Sequence, residues 1–192
     1  MAYATYTTQA LVCGTFSRNT ADSSYLLFTQ GAGMLYADAR SVREERSKQR
    51  SALQDFSLVK VSLVKGKGGW KVGSILPVKN YYYEAATQAA RGSVVSVFRL
   101  LRRFYKGEEA NVEIFDYVRQ SLDVLLQDLE HRPFRQMVIQ VNILADLGYV
   151  DNSQLLAELG FDAKNPQDVA YSDKNERLIE SAYSTAVSVS HL

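Results

Sequence analysis

The spacing of apolar residues changes once along this chain, near Tyr82. Before it, apolar side chains recur at every second position in short runs, the period of strands with a buried face. After it they recur at intervals of three and four, the period of helices with one buried stripe. The first regime predicts five strands, at Tyr6–Phe16, Ser23–Thr29, Met34–Arg40, Leu58–Lys65 and Trp70–Val78. Three connections are short: SRNTAD, QGAG and GKGG, the last two with glycines that supply the positive φ of hairpin turns. The fourth, Ser41 to Ser57, is long and polar, and its Ala52, Leu53 and Phe56 have the spacing of a single helical turn. Five strands with one short helix between the third and fourth is the order of an OB-fold, a small Greek-key barrel. An SH3-like barrel is the nearest competitor, though it does not usually place a helix there.

Beyond Tyr82, Ala86, Ala90, Val94, Val97, Leu101 and Phe104 form one apolar stripe on a helix predicted to end near Lys106. Ile114, Val118, Leu122, Leu125 and Leu129 form a second. A third helix is predicted from Pro133 to Leu147, closed by Gly148, and short helices follow near Ser153–Leu159 and Asp173–Val189. Pro133 and Pro166 both stand at helix starts, where the missing N–H costs nothing. The predicted class is therefore α+β: an OB-fold barrel in residues 1–80 and a helical domain in residues 81–192, joined at about Lys79–Tyr83. With 192 residues, 46% of them hydrophobic, the chain can bury one good core or two small ones.

Charge adds to this division. The net charge is only +1, yet residues 1–80 hold 11 Lys and Arg against 5 Asp and Glu, while residues 81–192 hold 11 against 16. A basic half fits an anionic partner such as nucleic acid, and it also fits a solvated surface whose sign varies by chance. Alternation favours the first. If Leu35, Ala37 and Ala39 face the barrel core, Tyr36 and Arg40 turn outward together. In the fourth strand Val59, Val61 and Leu63 take the core side and send Lys60 and Ser62 outward. An aromatic ring stacks on a base while a neighbouring cation holds its phosphate. The candidate DNA-binding residues are Tyr36, Arg40, Arg43, Arg46, Lys48, Arg50, Lys60, Lys65, Lys67, Trp70 and Lys71, nine of them cations within 32 residues. Ala52, Leu53 and Phe56 are expected to pin the basic crossover to the barrel core.

Other chemistries lack the residues they need. Neither His131 nor His191 stands in a motif with an activated nucleophile, so no enzymatic activity is expected. Cys13 is the single cysteine, which leaves no disulfide and no set of soft ligands at zinc spacing. No cofactor is expected. The stretch GKGGWKVGS lacks the Gly-Lys-Ser/Thr ending of a phosphate loop and joins two strands rather than a strand to a helix. Glu108 and Glu109, at a helix end after a glycine, read as solvated capping charge. No apolar run approaches the roughly 18 residues of a membrane span, and the N-terminus lacks a signal pattern, so a cytoplasmic protein without membrane contact is expected. Arg99, Arg102, Arg103 and Lys106 cluster at a helix C-terminus, where cations offset the helix dipole.

The order of these pieces resembles the bacterial RecO family of DNA-repair recombination mediators. The similarity runs through TTQALVCGTFSRNTADSSYLLFTQGAGMLYADARSVREERSKQRSALQDFSLVKVSLVKGKGGWKVGS, AATQAARGSVVSVFRLLRRFYKGEEANVEIFDYVRQSLDVLL and FRQMVIQVNILADLGYV, about residues 7–150. The resemblance implies an OB-fold that binds single- and double-stranded DNA, annealing of complementary strands, and loading of recombinase onto protein-coated single strands. It implies RecR as a partner, and the acidic C-terminal tail of single-stranded-DNA-binding protein as another. It also implies a bacterial, nucleoid-associated location. That tail ends in an aromatic residue, so its receptor needs cations beside an apolar pocket, here Arg99, Arg102, Arg103 and Lys106 with Phe98, Phe104 or Tyr105 as walls. The chain departs from members that carry a four-cysteine zinc site, having no cysteine after Cys13. Two other readings of the residues stand beside this one: an OB-fold module for RNA or a translation complex, and a non-catalytic protein-interaction scaffold.

Overall fold

The computed structural model describes residues 5–44, 47–127, 129–151, 153, 155 and 168–189. Five strands, β1 (Thr5–Ser17), β2 (Ser23–Thr29), β3 (Gly33–Ala39), β4 (Ser57–Gly66) and β5 (Gly69–Asn80), close into a barrel in the order β1-β2-β3-β5-β4. β3 and β5 run parallel and meet only at Ala37–Trp70 and Asp38–Lys71, while every other pairing is antiparallel. The short helix α1 (Lys48–Ala52) lies between β3 and β4. This order is that of an OB-like barrel and not of an SH3-like one. The helices α2 (Tyr81–Glu84), α3 (Gln88–Phe104), α4 (Val112–Leu126), α5 (Arg132–Asp146) and α6 (Asp173–Val189) follow, so the α+β class predicted from periodicity holds. No helix among the described residues is long and apolar enough to cross a membrane.

β1 serves both sides of the barrel. Its first half, Thr5–Leu11, pairs with β4, its second half, Ala10–Ser17, pairs with β2, and a bulge between Val12 and Gly14 interrupts the β1–β2 ladder. A bulge inserts one residue without a partner and shifts the side-chain alternation by one position. Ala10 and Val12 therefore enter the barrel, whereas Gly14 and Phe16 lie in register with the outward-facing Leu26 and Ser24. The barrel interior is filled by Val12, Leu27, Leu35, Val59, Val61 and Leu63 and closed by Leu53 at the end of α1.

A second apolar layer covers the outside of β1, β2 and β3. Leu11, Cys13, Leu26, Phe28 and Met34 point away from the barrel and are buried against Val97, Phe98 and Leu101 of α3 and Ile114, Phe115 and Val118 of α4. Phe28 contacts Tyr105 and Phe115 with ring centroids 4.6 and 5.4 Å apart. Polar clamps reinforce the join: Lys79 pairs with Asp123, and the Gln30 amide donates to the Asp116 carboxylate at 3.2 Å. Gly33 shows how closely the layers meet. Its φ is +64°, and a Cβ there would stand 2.4 Å from the Glu109 carbonyl oxygen and 2.7 Å from that of Gly107. The Met34 N–H donates to the Gly107 carbonyl at 2.9 Å, so the α3–α4 loop is tied to the β2–β3 hairpin.

Three sequence expectations change. Phe56 does not plug the barrel with Ala52 and Leu53: its φ is +71°, and it packs toward the helices, against Tyr82 and Phe98. α1 ends at Ala52, so the helical spacing that would have aligned the three residues does not extend to Phe56. Ala86 is exposed, because α2 stops at Glu84 and α3 starts afresh at Gln88 with Thr87 as its cap; Ala85 is buried in its place. Leu129 lies beyond the end of α4, packed against the core, whereas α3 ends at Phe104 with Tyr105 as its cap, close to the predicted end near Lys106. Most of the helix predicted near Ser153–Leu159, together with Pro166, lies outside the described residues.

Phe28→Ala is expected to cost roughly 3–5 kcal/mol, the range for emptying a buried aromatic site. Urea unfolding followed both by Trp70 fluorescence, for the barrel, and by far-ultraviolet circular dichroism, for the helices, should shift equally at both probes. A barrel transition that stays in place would show the two layers to be energetically independent.

Candidate nucleic-acid interface

Because α3 and α4 cover most of the outer face of β1–β3, only its far end remains open. Two rings stand there. Phe16 is 38% and Tyr36 59% exposed, with centroids 5.8 Å apart at a tilt of 57°. They lie on strands flanking β2, one row apart in register, which places them diagonally on one face. The Arg102 guanidinium of α3 sits 5.9 Å from the Phe16 ring and beside Gly14, where a Cβ would come within 3.4 Å of it. An arginine over a ring face is a cation–π contact, and it keeps the guanidinium beside the aromatic pair.

Next to the rings lies an open groove of about 420 Å³ bordered by Arg18, Arg40 and Lys71, with Asp22 and Asp38 between them. The polar turn after β1 builds it. Asn19 accepts from the N–H groups of Ala21 and Asp22, Asp22 accepts from the Ser41 N–H, and the Arg43 guanidinium donates to the Asn19 carbonyl at 2.6 Å. Ser41 turns the chain with φ +51°, which brings the start of the crossover against the β1–β2 turn. Arg18 pairs with Asp38. The Asn19 amide, then the Ser41 N–H, and then Arg40 and Arg18 hold the Asp22 carboxyl below its ordinary range. The groove is cationic, with built-in carboxylates that orient the arginines.

A third group lies on the other side of Tyr36. Lys65 of β4 places its ammonium 4.9 Å from the centroid of Trp70 and donates to the Glu108 carboxylate of the α3–α4 loop at 2.8 Å. The Lys65 ammonium, and after it the Trp70 indole N–H, hold the Glu108 carboxyl below its ordinary range. That indole nitrogen is buried and has no hydrogen bond of normal geometry. Tyr36, Trp70, Arg102, Lys106 and Glu108 border a groove of about 370 Å³ between barrel and helix.

The candidate DNA-binding residues thus divide. Tyr36, Arg40 and Lys71 share one face with Phe16, Arg18 and Arg102, and Lys65 and Trp70 continue it. Arg43 is exposed but anchored to the β1–β2 turn. Lys60 is in register with Gln9 and Leu76, on the β1–β4–β5 side of the barrel. Arg50 is exposed on α1 and Lys67 at the β4–β5 turn, away from the rings' register. Arg46 and the side chain of Lys48 lie outside the described residues, as does His191.

The helix cluster divides as well. Arg102 faces the barrel rings, Lys106 caps its helix by donating to the Arg102 carbonyl at 2.9 Å, and Arg103 lies over the Phe104 ring. Arg99 joins Arg91, Tyr82 and Val95 around a separate groove of about 520 Å³. Phe98 and Phe104 do not wall an open pocket beside these cations, whereas Tyr105 borders the groove that Arg102 and Lys106 also line. Phe98 packs on Phe56, Phe104 on Tyr149 and Tyr105 on Phe28, all within the core, and only Tyr105 borders one of the grooves. His131 stacks on Tyr171 at 3.5 Å, a packing role. Among the described residues no group of three His, Cys, Asp or Glu side chains gathers.

Phe16, Arg18 and Glu108 are the site members that local sequence did not single out. The only available signal was indirect: the run YLLF of β2 is apolar at successive positions, as in strands buried on both faces. No model of a known protein family matches the chain, and no curated protein matches it.

Cys13 lies beneath this face in the layer between barrel and helices, where burial pushes its thiol up to about 12. At pH 8 about one thiol in 10⁴ would then be thiolate, the reactive form. Labelling by a thiol-specific disulfide reagent is expected to be at least roughly a thousandfold slower in the native protein than in concentrated urea. Fast native labelling would place Cys13 in an opening that this packing does not contain.

Proposed function

We propose that this protein is a RecO-type recombination mediator that binds single-stranded DNA on the barrel face and anneals complementary strands in the bacterial cytoplasm. The observation that carries the reading is the exposed Phe16–Tyr36 pair framed by Arg18, Arg40, Lys71 and Arg102. Rings offer stacking surfaces to bases without regard to sequence, and the surrounding cations neutralise the phosphates on either side. Stacking uses the faces of the bases and leaves their hydrogen-bonding edges free, which is what a protein that pairs strands requires. Double-stranded DNA hides its base faces, so it would be held by the cations alone. RecR and the recombinase machinery are the partners that the family resemblance proposes.

The acidic tail of single-stranded-DNA-binding protein is assigned to the groove of Arg91, Arg99, Tyr82 and Val95, since Phe98 and Phe104 are taken up by the core and Tyr105 borders the groove given to the strand. There two cations stand beside Tyr82 and Val95, and an acidic, aromatic-ended peptide needs cations next to an apolar contact.

Titration of fluorescent oligothymidylate is expected to give a plot of log K against log salt with a slope near about −2, since Arg40, Lys71 and Arg102 take part at about 0.7 each while Arg18 is paired with Asp38. Tyr36→Ala should lose about 1–3 kcal/mol of stacking, roughly 5- to 150-fold in affinity, with the fold intact. Absence of binding at low salt would overturn the reading, and a preference for RNA without strand annealing would replace it with an RNA-binding module. For the tail, Arg91→Glu with Arg99→Glu should weaken binding of the acidic peptide at least tenfold, whereas Arg103→Glu should change it little. Equal affinity for all three proteins would remove the tail from this groove.

A further inference from the structure

The cluster Lys65, Trp70 and Glu108 is arranged as an ion-binding site that the protein fills from within. Lys65 is the cation, and the Trp70 ring lies against it and lines the adjacent groove. Glu108 supplies the anion from the α3–α4 loop, 2.8 Å from the Lys65 ammonium. The loop does not reach there by chance of an exposed chain end. The Gly107 carbonyl accepts from Met34, the Glu109 carbonyl accepts from the Tyr105 hydroxyl, and Gly33 admits the loop against the hairpin. The same groove continues past Tyr36 to Arg102 and Lys106, so a strand stacked on Tyr36 would run its next phosphate toward the position of the Glu108 carboxylate.

We propose that this groove is a nucleotide subsite whose phosphate position is occupied in the free protein by Glu108, so that a bound single strand must displace an internal carboxylate. The inference rests on the proposed binding of single-stranded DNA and adds to it a built-in competitor. Lys65 exchanges one anion for another when the strand arrives, so it releases no counterion and contributes little to affinity or to its salt dependence. Both side chains of the pair are largely in solvent, with 60% and 47% exposure, so the barrier is modest and the site is tuned rather than shut.

Trp70 is the only tryptophan, so its fluorescence reports on this subsite directly. Unlabelled oligothymidylate would be titrated into wild type, Glu108→Gln, Glu109→Gln and Lys65→Gln, following Trp70 emission and, in parallel, the anisotropy of a labelled strand. Wild type is expected to show a change in Trp70 emission on binding. Glu108→Gln should bind about two- to fivefold more tightly and steepen the salt slope by about 0.7, one additional phosphate contact on a single strand. Glu109→Gln removes the same charge from the same loop without touching Lys65, and should shift affinity less and leave the slope unchanged. Lys65→Gln should lower affinity little, because Lys65 is already spent on Glu108. Binding by anisotropy with silent Trp70, or equal behaviour of the Glu108 and Glu109 variants, would overturn the subsite and leave the barrel-face reading standing. Absence of binding in every protein would overturn both.

Discussion

The interaction on which the rest of this structure depends is the burial of the barrel's outer face. β1, β2 and β3 carry apolar side chains on both sides, and a five-stranded barrel can hide only one of them. Leu11, Cys13, Leu26, Phe28 and Met34 require a second layer, and α3 and α4 provide it. At about 25 cal/mol per Å² of apolar surface, leaving such a row in water would be costly beside the few kcal/mol by which domains are stable. Barrel and helices are therefore joined by a shared apolar layer that lies beside the barrel's own interior core.

That burial also shapes the site. OB-like barrels commonly offer the face of strands 2 and 3 to oligonucleotides, and here the helices occupy much of that face. What remains is a strip at its far end, with Phe16 and Tyr36 at its centre. The helix that takes up the rest of the surface contributes in return: the last turns of α3 bring Arg102 over Phe16, and the loop after it brings Glu108 to Lys65. A face narrowed by packing becomes a groove with two walls. Grooves focus potential more strongly than flat surfaces do, since low-dielectric walls keep the field lines together.

Charge within the groove is balanced more finely than the excess of basic residues in the first 80 would imply. Asp38 pairs with Arg18, Asp22 lies beside Arg40 and Arg18, and Glu108 holds Lys65. Each carboxylate keeps a long, flexible cation in place and offsets part of its charge. Exposed pairs of this kind are individually weak.

Strand and helix periods, turn glycines and the length of the crossover made the α+β class, the barrel order and the outward position of Tyr36 legible in the sequence, because each depends on contacts between near neighbours along the chain. The basic character of the crossover was legible for the same reason. Which outward residues stay open was not, because that depends on helices 60 or more positions away folding back over the sheet. Phe16 illustrates the limit. Simple alternation from Ala10 and Val12 would send it into the barrel, and the bulge between Val12 and Gly14 reverses it. Phe56 illustrates the same limit, since the end of α1 at Ala52 and a positive φ turn it from the barrel to the helices. Glu108 could be read from sequence only as solvated charge at a helix end. Its partnership with Lys65 exists because Gly33 lets the α3–α4 loop close on the β2–β3 hairpin, a contact between segments that only tertiary packing brings together.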